Sequence, residues 1–288
     1  MEVAWHMAPD GGQDIEAVYG TLTGRDRYLT DLLAAPDRIY VGDEFCETRL
    51  PDPAQLARHI QYAEDRDLAL TLLTPVLTDP GIERIRPLLD TLYAWQPSAE
   101  VVINDLGVMV FLKTHYPKFS LSMGRLFNKG FKDPRLRPDD LDPADRVSPF
   151  FQDSSFQHEN IQVLADGLGV QRLEQDLLPY ADPQALGCGR LETTVYLPFG
   201  YVTTGRVCFT AGLDRPRRTS FGLARSCTQP CVSHCLEMAA PDLSFRLFQK
   251  GNTVFYLYTL SRLKTLVQCA DDKGFRLVCQ FFDTRGCA

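Results

Sequence analysis

From residue 38 to residue 105 the chain alternates short apolar runs with amphipathic segments of helical period, and that alternation leaves little choice of fold. RIYVGDEF (38–45), LALTLLTPVL (68–77) and AEVVIND (99–105) have the length and composition of strands. Between the first two, Asp52 and Pro53 supply an N-cap and a first-turn proline for PAQLARHIQYAEDR, where Leu56 and Ile60 share one face. Asp79-Pro80 then opens a second helix carrying Ile82, Ile85, Leu88, Leu89 and Leu92 at core-facing spacing. Strand, helix, strand in that order builds a parallel sheet covered by helices, because parallel neighbours need a long crossover.

The rest of the chain extends the pattern. VAWHMAP (3–9) is a candidate strand, and IEAVYGTLTGRDRYLTDLLAA (15–35) leads from it through a helical pattern. KFSLSMGRL (118–126), a short QRL, LETTVYLPFGYV (191–202), TVFYLYTL (253–260) and FRLVCQFF (275–282) add further strands, while IQVLADGLGV, EQDLLPYA and SRLKTLVQCADDKG read as helical. About eight strands separated by helices predict an α/β fold, a TIM-like (β/α)8 barrel occupying residues 1–288 as a single domain and imperfect at its cysteine-rich region. Residues 127–160 hold four prolines and little periodicity, which marks an inserted loop, and residues 208–240 form a cysteine-rich segment near the C-terminal rim.

A formal net charge of -7 and a pI near 5.3 give no general basic footprint for a nucleic acid, although KGFKDPRLR (129–137) is locally basic. No apolar run approaches the roughly 20 residues that span a bilayer. The opening MEVAWHMAPDGGQD has neither the basic nor the apolar region of a signal peptide, so a cytoplasmic location is expected. No Ser-His-Asp order, H-E-x-x-H motif or cysteine-histidine pair supports peptidase chemistry.

Nine cysteines crowd toward the C-terminal half, and in a reducing compartment such clustering points to metal or redox chemistry. Cys46 directly follows a strand, Cys208 follows YVTTGRV, and Cys227 and Cys231 come shortly after, so a barrel rim could gather four soft sulfur donors from separate loops. Four thiolates suit an iron-sulfur cluster or a structural zinc. Cys227, Cys231, His234 and Cys235 could instead bind zinc locally, and ordinary thiols are a third reading. Cys188, Cys269, Cys279 and Cys287 read as core or surface thiols.

IYVGDEFCETRLP, NDLGVM (104–109), GVQRLEQDLL (169–178), LPFGYVTTGRVCFTAG (197–212) and CTQPC occur in an order that resembles the collagenase-like peptidase family (unassigned peptidase family 32), in its UbiV-like branch. The resemblance implies a TIM-like barrel and a 4Fe-4S cluster on Cys46, Cys208, Cys227 and Cys231, with Cys235 or His234 as substitutes. It also implies oxygen-independent hydroxylation of an aromatic or quinone-type substrate, as in ubiquinone biosynthesis, with prephenate as the donor and a UbiU-like second family member as heterodimer partner. Alternatives are an RNA base hydroxylase of the same family and a non-catalytic zinc-stabilised scaffold. The sequence departs from the family pattern at Val207, which separates Arg206 from Cys208, in a longer interval from Cys208 to Cys227, and in the 127–160 insertion.

An anionic donor and an aromatic acceptor call for cations. Arg206 beside Cys208 is one candidate, and Arg215, Arg217 and Arg218 in DRPRR are others unless that stretch is simply a solvated loop. Asp105 ends a strand next to Asn104, Glu44 adjoins the Cys46 loop, and Glu174 follows the short strand; these three and Arg206 are the candidate catalytic residues. His6 is expected to be a satisfied core residue and His59 to sit on a solvated helix face.

Overall fold

The computed structural model describes residues 1–7, 29, 31, 35–135, 152–187, 189–213, 216, 227–239, 241, 243 and 245–280. Eight parallel strands close into a barrel: β1 (Glu2–Met7), β2 (Arg38–Gly42), β3 (Ala69–Leu73), β4 (Glu100–Ile103), β5 (Ser120–Met123), β6 (Val170–Gln175), β7 (Glu192–Leu197) and β12 (Arg276–Gln280), with β12 returning to pair with β1. The expected TIM-like barrel is therefore present. Five α-helices are described: α1 (Pro53–Glu64), α2 (Asp79–Trp95), α3 (Leu106–His115), α4 (Glu159–Gly167) and α5 (Leu260–Lys273). None of them is long and apolar enough to cross a membrane.

Local chemistry fixes these elements where the sequence places them. Asp52 accepts from the Gln55 backbone N–H while the Gln55 side chain accepts from the Asp52 backbone N–H, a reciprocal cap that contributes about 1 kcal/mol to α1. Leu56, Ile60 and Ala63 bury one stripe of α1, and His59, expected to face solvent, lies buried with them. It falls three residues after Leu56 and four before Ala63, squarely on the buried face. Alternate residues of the strands, among them Ile39, Val41, Leu70, Leu72, Val101 and Ile103, point outward into the core shared with the helices.

The inward-facing positions depart from an ordinary barrel, whose interior is filled mainly by branched apolar side chains. At the N-terminal end Arg276 donates to Glu2, Glu100 and Tyr40, and Arg38 donates to Glu2 and Thr71. Tyr40 passes the chain of hydrogen bonds on to Glu174 at mid-barrel, and Arg125 lies over the ring of Tyr196 nearer the C-terminal mouth. Polar side chains thus occupy the N-terminal end and the middle of the barrel and recur at the mouth, beside an apolar layer of Ala4, Leu73, Val102 and Val278.

LETTVYLPFGYV, expected as one strand, is two. The chain leaves the barrel at Pro198, and β8 (Phe199–Thr204) enters a separate antiparallel sheet with β9 (Leu236–Met238), β10 (Leu247–Lys250) and β11 (Thr253–Leu257), in the order β8-β11-β10-β9. TVFYLYTL therefore supplies a strand of this second sheet, not of the barrel. EQDLLPYA forms no helix. Its first two residues complete β6, and its backbone groups go elsewhere: Leu177 donates to and accepts from the hydroxyls of Tyr258 and Tyr256, while Leu178 and Ala181 carbonyls accept from Arg262. Side chains have taken the partners a helix would need. The helical stretch expected over 15–35 and residues 136–151 of the insertion lie almost wholly or wholly outside the described residues; the insertion's last residues begin α4.

Candidate functional site

The second sheet packs on the loops that follow β2, β5 and β6. Phe199, Tyr201, Phe248 and Phe255 bury against Leu126, with Phe45 at their edge in contact with Tyr201 and Phe255. This places two candidate features side by side at the C-terminal end of the barrel, where barrel enzymes bind their ligands. One is a charged mouth; the other is a group of thiols.

Arg125, just after β5, is the hub of the mouth. Fully buried, its guanidinium binds Glu44 through two nitrogens and Asp176 at 2.8 Å, and it reaches Gln280 at 3.2 Å. Asp176 also accepts from the Tyr201 N–H at 3.0 Å, and the Tyr201 hydroxyl donates to the Arg125 carbonyl, which locks the second sheet to the mouth. Burial pushes the Glu44 carboxyl up, against the pull of Arg125. Below it, Glu174 is raised to about 7 by burial and by Glu100, with Arg276 and the Tyr196 hydroxyl opposing; one of its oxygens accepts from Tyr40.

The thiols come from three loops. Cys46 precedes the 3-10 turn Glu47–Arg49, Cys208 follows β8, and Cys227 and Cys231 flank Gln229, whose left-handed backbone (φ 56°) turns the chain into Pro230–Val232. Asn252, at the turn between β10 and β11, ties two of these loops together by donating to the Phe45 and Gly205 carbonyls at 2.6 and 2.8 Å. Gln229 Nε2 donates to the Thr48 carbonyl, bringing in the third. The backbone at Gly251 packs close to Cys231, and its carbonyl accepts from Thr210 in the turn after Cys208.

Each of the four sulfurs faces a hydrogen-bonding group. Thr48 Oγ1 stands 3.1 Å from Cys46, the Ala211 N–H donates to Cys208 at 3.4 Å, the Gln229 N–H donates to Cys227 at 3.3 Å, and Arg49 Nη1 points at Cys231 from 3.7 Å. Burial and then Asp43 raise the Cys46 thiol to about 11, with Cys231 adding to the effect, and Cys208 is raised by burial with Cys231 and Cys227 contributing. The four cysteines are therefore within electrostatic reach of one another in a chain, 46 to 231 to 208 to 227. Among the described residues, no group of three or more His, Cys, Asp or Glu side chains has the arrangement of a metal-holding set.

No family model matches the chain, and no curated protein matches it. Among solved structures there are distant likenesses. The chain is similar to the U32 peptidase Mk0906 at 14% identity over 69% of each chain, with a TM-score of 0.35. It is also similar to the spore cortex-lytic enzyme SleL of Bacillus megaterium QM B1551, at 7% identity over 97% of this chain and 70% of that one, with a TM-score of 0.37. Likenesses so remote carry nothing about activity, and the site is read from its own residues.

The other residues singled out in the sequence are placed as follows. Asp105 caps α3, accepting from the Gly107 N–H and, through its other oxygen, from the Leu77 N–H, while Asn104 is buried between the Thr74 carbonyl and the Leu126 N–H. Arg206 and His234 are exposed. Cys235 is disulfide-bonded, so its sulfur is not a free thiol beside the other four. His6 contacts the Gly42 carbonyl at 2.9 Å, and burial holds it below the usual histidine range. Cys269 and Cys279 are core thiols. Arg215, Arg217, Arg218, Cys188 and Cys287 lie outside the described residues. Sequence reasoning missed Arg125, Asp176, Lys132 and Asn252; for the first two, a charged residue within two positions of a strand's C-terminal end was the available signal.

Proposed function

We propose that this chain is a redox protein of oxygen-independent hydroxylation, with Cys46, Cys208, Cys227 and Cys231 as the ligands of a 4Fe-4S cluster. What supports this reading is that Cys231 acts electrostatically on both Cys46, from the first third of the sequence, and Cys208, that Cys227 also acts on Cys208, and that each of the four sulfurs faces a hydrogen-bonding group. N–H donors aimed at sulfur favour thiolate over thiol and tune the potential of whatever the thiolates hold. The donor set is all sulfur, which suits iron-sulfur chemistry or zinc better than a hard cation. A cluster on four thiolates supplies one-electron transfer.

The chain's own residues would supply the rest. Glu44-Phe45-Cys46 runs without interruption from the mouth to the thiols, so a substrate at the mouth lies one aromatic side chain from a ligand. Phe45 offers an edge for an aromatic acceptor. Arg125, its planar fork taken up by Glu44 and Asp176, fixes those two carboxylates at the mouth. In this reading Arg125 and Glu44 shape the mouth, and Glu174, raised to about 7, holds a proton below them over part of the neutral range.

The test is a reaction under argon. The chain, combined with a UbiU-like partner, is incubated with prephenate and a quinone-precursor phenol, and products are read by mass spectrometry. A prephenate-dependent product heavier by one oxygen is expected, and it should disappear with Cys231→Ser. No such product from protein carrying its full iron would overturn the proposal.

A further inference from the structure

The mouth contains one group that the preceding reading leaves idle. Lys132 is buried to 8% exposure, its Nζ 3.3 Å from the centroid of the Tyr201 ring and 4.0 Å from Asp176 Oδ2, and among the described residues it makes no hydrogen bond. Asp176 does not depend on it. One oxygen of that carboxylate already accepts from Arg125 and the other from the Tyr201 N–H, so the ammonium is surplus to the pairing at the mouth. An ordinary structural lysine at such depth completes a close pair or reaches out to water; Lys132 has only a long ion pair, 4.0 Å from an Asp176 oxygen already in use, and a ring face.

The groups around it explain its chemistry. Arg125 after β5 and Lys129 on its own segment repel a second positive charge, Asp176 after β6 attracts one, and Tyr201 on β8 presents a ring face. Burial is the largest influence and the two cations reinforce it, so despite Asp176 the amine falls to about 7. A desolvated lysine beside another cation is a common way to obtain a free amine at neutral pH.

We propose that Lys132 is a nucleophilic amine that captures a small aldehyde or ketone at the barrel mouth as an imine. The Nζ lone pair attacks the carbonyl carbon, the carbonyl π pair moves to oxygen, and that oxygen takes a proton from water. Asp176 Oδ2, the nearest carboxylate oxygen, accepts the proton that nitrogen gives up and returns it as the carbinolamine hydroxyl departs as water. The hydroxide left by the protonating water takes the remaining N–H proton of the iminium, so the balance is one amine and one carbonyl in, one imine and one water out, with no oxidant or reductant. The Tyr201 face stabilises the iminium cation formed on the way. The site is separate from the thiols, and the proposal does not rest on what they hold.

The full chain is treated with pyruvate and sodium cyanoborohydride, and in parallel with formaldehyde and the same reductant, across a pH series, and adducts are mapped by peptide mass. Modification of Lys132 is expected about tenfold or more ahead of the exposed Lys118 and Lys264. Its rate should rise with a midpoint near 7, and Lys132→Met should remove that adduct alone. The wild-type pH profile decides the matter even if the variant folds poorly. Labelling of Lys132 by formaldehyde that is no faster than that of the exposed lysines, or that rises only in their alkaline range, would overturn the proposal. Fast formaldehyde labelling without a pyruvate adduct supports the free amine and restricts the carbonyl to one smaller than pyruvate or uncharged.

Discussion

Arg125→Met is expected to destabilise the protein by about 3–5 kcal/mol, the usual result of removing one member of a buried ionic group. Glu44 and Asp176 would then face each other without the guanidinium between them, leaving Lys132 as the cation beside Asp176, and Gln280 and the Tyr196 ring would lose their partner as well. The damage should extend beyond the barrel, because Asp176 and the backbone beside Arg125 anchor Tyr201 of the second sheet. Thermal unfolding followed by circular dichroism should show a midpoint lower by roughly 10 °C. Arg125→Lys keeps the charge without the planar fork and should fall between the two. An unchanged midpoint for Arg125→Met would mean that the mouth does not hold the two sheets together.

Glu174→Gln should act in the opposite direction, and only at higher pH. The carboxyl is raised from 4.5 to about 7 by burial and by Glu100, so the folded state holds its proton where the unfolded chain has released it. The protonated side chain stabilises the fold fully below about 4.5, and that contribution is lost as pH rises through about 7. The gap corresponds to on the order of 3 kcal/mol. Wild-type stability should therefore decline from mildly acidic to neutral pH more steeply than that of the variant, which carries no charge to bury. Denaturant midpoints at pH near 5 and near 8 test this: similar values at the lower pH and a more stable variant at the higher one are expected. A variant less stable than wild type at both would show that Glu174 is ionised and paired within the barrel.

The barrel was legible because its outward-facing residues keep strict periods: Leu56, Ile60 and Ala63 on α1, Ile85, Leu88, Leu89 and Leu92 on α2, and a caps-and-proline signature before each helix. The second sheet was not, since a run such as LETTVYLPFGYV has strand chemistry throughout and only Pro198 marks where it changes sheets. The mouth escaped notice for a related reason. A single arginine after KFSLSMG, or an aspartate after QRLEQ, looks like a solvated loop charge until the closure of the barrel turns both inward. For the thiols, spacing alone left iron-sulfur, zinc and ordinary cysteines open. The family resemblance implies a set of four, and the loops that carry them are tied to one another by Asn252 and Gln229, two amides whose role no sequence spacing announces.

The most direct measurement is metal and sulfide content after anaerobic purification and reconstitution, for the wild type and for Cys46→Ala beside the core-thiol control Cys269→Ala. About four irons and four acid-labile sulfides per chain, a brown colour, and loss of most of both in Cys46→Ala alone are the predicted results. Colourless protein with one zinc that survives Cys46→Ala would contradict the account, because a local site on residues 227–235 would then need nothing from the loop after β2.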